Sequence, residues 1–358
     1  MTPIEVEQPD AVIGTSEPAP LSVVQVVRSD AFAGVERYIC QVAKGLASRG
    51  HQVVAIGGAT ARMRAELGDQ VHHRPATSVG QAARALAKQR GVDVIHVHMT
   101  AAEAAAWLAR PMQRAPIVAT RHFPGDRGTG TVARALARVT SRSLSRDIAI
   151  SQFVADTIKG PSVLLYNGVP SQPQADLSAS TVLMMQRLTV EKSPEIGLRA
   201  WKESGLGLQG WRLVVAGVGD LRASLGALAD DLGIAGSVDF VGQVADTDRQ
   251  LGASAILLAP APEEPFGLSV VEAMAHGIPV VAAKGGAHLE TAGDDGLLFA
   301  PGDADAAAHA LVTLGNDLAL RRQVGARLRD RQQQLFALPH HLDRLEGLYR
   351  EVLGDSKR

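Results

Sequence analysis

At 358 residues the chain is longer than one ordinary core sustains, so two domains are expected. The 46% hydrophobic share fits a soluble α/β protein. No apolar run approaches the roughly 20 residues that a bilayer span needs, and a single cysteine, Cys40, excludes an internal disulfide framework and agrees with a cytoplasmic setting. The net charge of −1 conceals an asymmetry, because residues 1–170 hold 19 Lys+Arg against 13 Asp+Glu while residues 171–358 hold 17 against 24. A basic half beside an acidic half admits an anionic acceptor or membrane surface on the N-terminal side, although an ordinary solvated surface explains it as well.

Residues 1–20 carry three glutamates and four prolines without a basic or apolar leader pattern, and are expected to form a disordered tail. Short Val/Ile-rich runs then alternate with amphipathic stretches, the signature of βα units on a parallel sheet. Strands are expected at Ser22–Val27, Val53–Gly57, Asp93–His98, Ile117–Thr120, Asp147–Ile150 and Val163–Tyr166, with helices at Val35–Arg49, Ala101–Arg110 and Thr131–Ser145. Cys40 lies in an apolar stretch of the first of these helices and is expected to be buried. After a polar, Pro/Ser-rich segment the pattern repeats at Val182–Met185, Leu213–Ala216, Val238–Val241, Ala255–Ala259, Ile278–Ala283 and Leu297–Phe299. Leu338, Leu342, Leu345, Leu348, Tyr349 and Val352 then mark a last helix. The expected division is a tail over 1–20, a Rossmann-like domain over 21–170, a linker over 171–180, a second Rossmann-like domain over 181–335, and a terminal helix over 336–358. Two such domains face each other across a cleft, with ligands outside the carboxyl ends of the strands.

The densest chemistry lies in the second domain. Glu264 and Glu272 are eight positions apart in a short acidic loop that runs into a helix ending at Gly277. Carboxylates beside a helix N-terminus, which itself favours anions, suit a ligand carrying both phosphates and hydroxyls. Arg187 and Lys192 follow a strand and are placed to converge on phosphates as a planar fork and a point charge. A surface ion pair of Lys192 with Glu191 or Glu195 is the competing reading. Gly217-Val-Gly219 is no dinucleotide fingerprint, because Arg222 stands at the third glycine's place.

In this context Glu264-Pro-Phe-Gly-Leu-Ser-Val-Val-Glu272 resembles the Glu-x7-Glu signature of the retaining glycosyltransferases of family 4. Phe32-Ala-Gly-Val-Glu-Arg-Tyr38, Asp93–His98, Thr120-Arg-His122, Tyr166-Asn-Gly-Val169 and Gln186-Arg-Leu…Glu191-Lys192 resemble further motifs of that family, in its order. The resemblance covers nearly all of residues 21–355. Gln186, Ala33 and the spacing of Gly286 to Glu290 depart from the family pattern.

The resemblance implies the GT-B fold, with the final helix crossing back to the N-terminal domain. It also implies transfer of a hexose-type sugar from a UDP- or GDP-sugar to an acceptor hydroxyl with retention. By the same resemblance Glu264 lies against the transferred sugar, Glu272 accepts from the ribose hydroxyls, and Arg187 and Lys192 stabilise the leaving diphosphate. Backbone N–H groups of Phe266, Gly267 and Leu268 hold sugar and phosphate, Gly34 lets its loop approach a phosphate, and His122 contacts a sugar hydroxyl. No bound cofactor and no metal are expected, and no nucleic-acid partner; a weak peripheral association with anionic membrane at the inner face is. A nucleotide-sugar 2-epimerase and a non-catalytic scaffold of the same fold stay open as alternatives, as do the base, the sugar and the acceptor.

Two expectations concern residues outside those motifs. His96 and His98 alternate along one strand and are expected on opposite faces, so that at most one looks into the cleft. Arg134, Arg138, Arg142 and Arg146 recur every four residues and form one basic stripe if a single helix carries them all. A solvated face is the plainer account of that stripe.

Overall fold

The computed structural model describes residues 19–128 and 130–355 of the chain, and the tail expected over 1–20 lies almost wholly outside them. Thirteen strands form two wholly parallel sheets among the described residues. The first holds β1 (Ser22–Val27), β2 (Gln52–Ile56), β3 (His72–Arg74), β4 (Val94–His98), β5 (Ile117–Arg121), β6 (Leu144–Ala149) and β7 (Val163–Leu164), in the order β3-β2-β1-β4-β5-β6-β7. The second holds β8 (Thr181–Met185), β9 (Arg212–Ala216), β10 (Val238–Gly242), β11 (Ile256–Ala259), β12 (Val280–Ala283) and β13 (Leu297–Phe299), in the order β10-β9-β8-β11-β12-β13. Both are doubly wound, and each reverses direction beside its first strand. That crevice is where ligands of such sheets sit.

The chain passes between the sheets twice, and the two passages are hydrogen-bonded to each other. The Val169 N–H donates to the Phe336 carbonyl at 2.8 Å, and the Leu338 N–H donates to the Val169 carbonyl at 3.1 Å. Gly168 permits this approach, since a Cβ there would stand 2.6 Å from the His341 Cβ and 2.8 Å from the Leu338 Cα. Residues 171–180 are docked on the C-terminal half. Ala175 and Leu177 are buried, and the Ala175 N–H donates to the His276 carbonyl at 2.9 Å.

The final helix, Leu338–Asp355, crosses back onto the first sheet and buries Leu342, Leu345, Leu348, Tyr349 and Val352 against the helix Gly34–Ser48 and strands β1, β2 and β4. Cys40 is buried on that second helix beside the Met63 sulfur at 3.6 Å, and burial pushes its thiol up to about 12.

Two expectations fail for physical reasons. The helix expected over Thr131–Ser145 ends at Thr140. A 3-10 turn at Ser141–Ser143 follows, and Leu144 already begins β6. The basic stripe therefore does not exist. Arg134 and Arg138 share the helix, Arg142 sits in the turn, and Arg146 lies on the strand with its guanidinium 2.8 Å from Asp355. His96 and His98 are two residues apart on β4, and a strand repeats every two residues, so both point to one face. Their ring centroids are 4.4 Å apart and both are fully buried.

Candidate active site

The loops after β8, β9, β11 and β12 meet at one place in the C-terminal half. The first carries Arg187 and Lys192. Its backbone is clamped by the Gly217–Gly219 loop: a Cβ on Gly217 (φ +141°) would stand 1.8 Å from the Gln186 carbonyl oxygen, and one on Gly219 2.2 Å from that of Leu188. The glycines that make a poor dinucleotide fingerprint therefore serve close backbone packing. Gln186, which departs from the family's glycine, donates its side-chain N–H to the Lys192 carbonyl at 3.0 Å and so ties the loop's two ends together.

Lys192 is buried, and its ammonium lies 2.5 Å from the Glu264 carboxylate, 72 residues further along the chain. A buried ammonium is costly unless paired, and this contact pairs it with the acid expected to face the sugar. Arg187 takes a different place. It is exposed and forms an ion pair with Glu191 at 3.1 Å, so the two expected phosphate ligands do not converge here. The competing reading of Lys192 as a surface partner of Glu191 or Glu195 fails, because Lys192 turns inward.

Beyond Glu264 the chain enters the helix Leu268–Ala275. Gly267, its N-cap, has φ +83°, a value few side chains tolerate. The first N–H groups of a helix have no intrahelical acceptor, so those of this turn point out of its N-terminus. Phe266 anchors the turn from below, its ring packed against Tyr166 and Phe336 where the chain passes between the sheets. His288, which no motif indicated, is buried beside Gly267 and donates from Nδ1 to the Ala283 carbonyl at 3.0 Å. Burial lowers its pKa, against the pull of Glu264.

The N-terminal half reaches this turn directly. A Cβ on Gly34 would lie 3.3 Å from the Leu268 Cδ1, so the N-terminus of the helix Gly34–Ser48 abuts that of Leu268–Ala275. Two macrodipole ends of the anion-attracting sign thus adjoin across the cleft. One turn deeper, Arg37 spans the halves, donating to Glu272 at 3.1 Å and to the Thr247 hydroxyl at 2.8 Å. Glu272 is buried. Desolvation raises its pKa, and the Arg37 charge opposes that rise. Two further ties close the cleft's floor: the Ser151 hydroxyl donates to the Pro265 carbonyl at 2.6 Å, and Glu290 accepts the N–H groups of Gln152 and Phe153 at 2.6 and 2.9 Å.

His122 follows β5 and is buried in the N-terminal half. Its Nε2 is 3.0 Å from His98 Nδ1, and its ring lies edge-on to Tyr38. Burial lowers its pKa to about 3, so it is neutral at physiological pH.

Two family models tile this architecture. Residues 32–172 match "Glycosyltransferase Family 4" and residues 170–331 match "Glycosyl transferases group 1". The chain belongs to the family 4 glycosyltransferases. Within that family it is 29% identical to a phosphatidyl-myo-inositol mannosyltransferase of Mycolicibacterium smegmatis, over 84% of this chain and 86% of that one. It is 29% identical to an exopolysaccharide phosphotransferase of Streptomyces coelicolor over 52% of this chain, and 30% identical to an N-acetyl-alpha-D-glucosaminyl L-malate synthase of Bacillus anthracis over 41%. The matches span only 20% and 39% of those two relatives' own lengths. Anabaena HepE, solved in complex with UDP-glucose, superposes with a TM-score of 0.79 at 21% identity, covering 92% of this family 4 chain and 100% of HepE. The likeness shows that the fold is GT-B.

Proposed function

We propose that the chain transfers a hexose-type sugar from a UDP- or GDP-sugar to an acceptor hydroxyl with retention of anomeric configuration. The donor sits mainly on the C-terminal half, and the acceptor on the N-terminal half. The observation that carries this reading is the pair of the buried Lys192 with the half-buried Glu264 beside two adjoining helix N-termini. One group of the pair suits a diphosphate and the other a sugar. The UDP-glucose bound by the Anabaena neighbour makes a UDP-hexose the first donor to try.

In the reaction the bond between the anomeric carbon and the β-phosphate oxygen breaks. The acceptor oxygen bonds to that carbon from the leaving group's own face, and its proton passes to the departing phosphate. Negative charge grows on the diphosphate, and preorganised cations and N–H donors stabilise it best where water is excluded. Lys192 and the N–H groups of Phe266, Gly267 and Leu268 supply that stabilisation. Arg187, on an exposed side chain, joins them by leaving Glu191. Glu264 accepts from the sugar's hydroxyls and offsets positive charge on the oxocarbenium-like carbon. Glu272 takes the ribose hydroxyls, and His122 a sugar hydroxyl.

The acceptor is an anionic or membrane-borne polyol in this reading, as the likeness to a phosphatidyl-myo-inositol mannosyltransferase suggests. Among the described residues no helix is long and apolar enough to cross a membrane. On the N-terminal half Trp107, Leu108 and Met112 are exposed near Arg110 and Arg114, an apolar and basic mixture suited to peripheral contact with an anionic inner leaflet. A panel of nucleotide sugars screened by thermal shift, followed by product analysis, tests the reading. A single stabilising donor that is consumed only when an acceptor is present supports it, and conversion of the donor alone to an epimer removes it.

A further inference from the structure

A polar chain runs from Thr120 through the buried core of the N-terminal half and ends on His122, with a shorter one beside it. The shorter one starts at the Tyr166 carbonyl, which can only accept. His341 Nδ1 lies 2.7 Å from that oxygen and so carries the proton. Burial keeps His341 neutral, with a pKa lowered to about 4, which leaves a lone pair on Nε2 for the Tyr38 hydroxyl at 3.0 Å. The longer run begins where the Thr120 oxygen takes His96 Nε2–H at 2.7 Å. His96 is likewise held neutral by burial, so its Nδ1 accepts from the Tyr349 hydroxyl at 2.6 Å. The Tyr349 oxygen takes the Gln25 amide N–H at 3.2 Å, and this turns the Gln25 carbonyl oxygen toward His98 Nε2 at 2.6 Å. His98 must therefore donate from Nε2 and accept at Nδ1, where His122 Nε2–H approaches to 3.0 Å.

Each neutral imidazole and each hydroxyl has one donor role and one acceptor role in such a chain. The placement of Gln25, its amide N–H toward Tyr349 and its carbonyl oxygen toward His98, orients the protons of the run that ends on His122. Flipping Gln25 alone would leave the Tyr349 oxygen without its donor and set two acceptors or two donors face to face. Tyr349 stands on the final helix, so the element that crosses back from the other half supplies the partner that orients Gln25.

We infer that this crossover helix sets the tautomer of His122: Tyr349, through Gln25 and His98, holds it in the Nε2–H form, with the Nδ1 lone pair left to accept a hydrogen bond from a sugar hydroxyl. The part concerning the sugar rests on the function proposed above. Gln25, His98 and Tyr349 are positioning residues, and His122 meets a ligand that donates, a hydroxyl and not a carboxylate.

The experiment is 15N-histidine NMR on the full chain near neutral pH, with the His122 signals assigned by their loss in His122→Asn. The expected result is protonated Nε2 and lone-pair Nδ1 in the unsubstituted chain. In Tyr349→Phe the amide of Gln25 is freed to turn, so His122 becomes a mixture of tautomers and kcat falls about tenfold with the donor KM unchanged. Gln25→Leu breaks the same link from the other side and is expected to give the same mixture, which covers the case in which Tyr349→Phe does not fold. A proton on Nδ1, a charged ring in the unsubstituted chain, or a pure Nε2–H form in a folded link variant overturns the inference. Correct tautomers in a chain that transfers no sugar would instead remove the proposed function and leave the tautomer assignment standing.

Discussion

The two walls of the cleft are prepared by opposite means. The C-terminal wall is charged: Lys192 against Glu264, Arg187 against Glu191, and Glu272 drawn to Arg37 from across the cleft. The N-terminal wall around His122 is polar but neutral, with four buried histidines and two buried tyrosines satisfying one another. A leaving diphosphate brings charge, so its wall must hold charges in waiting. A sugar hydroxyl brings only a dipole, and the wall that meets it must offer one fixed lone pair. Charged groups would be the more expensive choice in so dry a place.

The contrast breaks most visibly at Lys192. Lys192→Ala is expected to lower kcat by on the order of 10²–10³, as for loss of one preorganised donor to a developing anion. Lys192→Ala/Glu264→Gln, which leaves no half-buried carboxylate unpaired, should regain stability without regaining turnover. Steady-state kinetics with circular dichroism on both variants separates the effects, and near-normal turnover in the single variant would remove Lys192 from the mechanism.

The neutral wall breaks with acid. His96 and His122 have folded-state pKa values lowered to about 3 and His341 to about 4, against 6.5 when unfolded. Between those limits the unfolded chain binds more protons, so stability is complete above 6.5 and is lost as pH falls toward the folded values. Each group contributes a slope of up to about 1.4 kcal/mol per pH unit. Urea midpoints from neutral pH downward should drop steeply below about pH 6. A flat profile there would mean that the histidines are already charged or exposed.

A smaller effect is expected at Gly217. Its φ of +141° and the 1.8 Å approach of a Cβ to the Gln186 carbonyl leave a methyl no room. Gly217→Ala should cost about 1–3 kcal/mol and displace the Arg187–Lys192 loop, so kcat falls along with the melting temperature. Loss of stability without loss of turnover would detach this loop packing from the chemistry.

How much of this could be read from the sequence varies with how local the cause is. Strands buried on both faces announce themselves, as Ser22–Val27 does, and the half-buried edge strand Leu297–Phe299 also forms over the expected residues. The edge strand His72–Arg74 was missed because it is a three-residue polar run with no alternation to detect. Leu144–Ala149 was partly absorbed into a helix because the four-residue spacing of arginines continues across the break. Lys192 and Glu264 were legible through the family resemblance, though their mutual contact was not. Arg37, His288 and Glu290 owe their roles to partners in distant parts of the chain, which no local pattern encodes. The polar chain left one trace, Gln25 in the otherwise apolar run Ser22–Val27 with histidines at 96 and 98. The strand's two-residue period, correctly applied, puts both histidines on one face.

The least effect is expected where the two walls touch. Arg37 is partly exposed, so solvent screens its pairing with the buried Glu272 and the pair's contribution to stability is modest. Its electrostatic influence is easier to detect than its stability. Burial raises the Glu272 pKa and Arg37 restrains the rise, so Arg37→Ala should raise it further. The carboxylate that takes the ribose hydroxyls in the proposed reaction then protonates at a higher pH, and a protonated carboxyl accepts fewer hydrogen bonds. Calorimetric donor affinity should change only a few-fold at neutral pH, yet decline at a higher pH in Arg37→Ala than in the unsubstituted chain as acid is added. Superimposable pH profiles would show that Glu272 does not need its charge to hold the nucleotide. The N-terminal wall would then contribute its neutral lone pair and no charge to the opposite side.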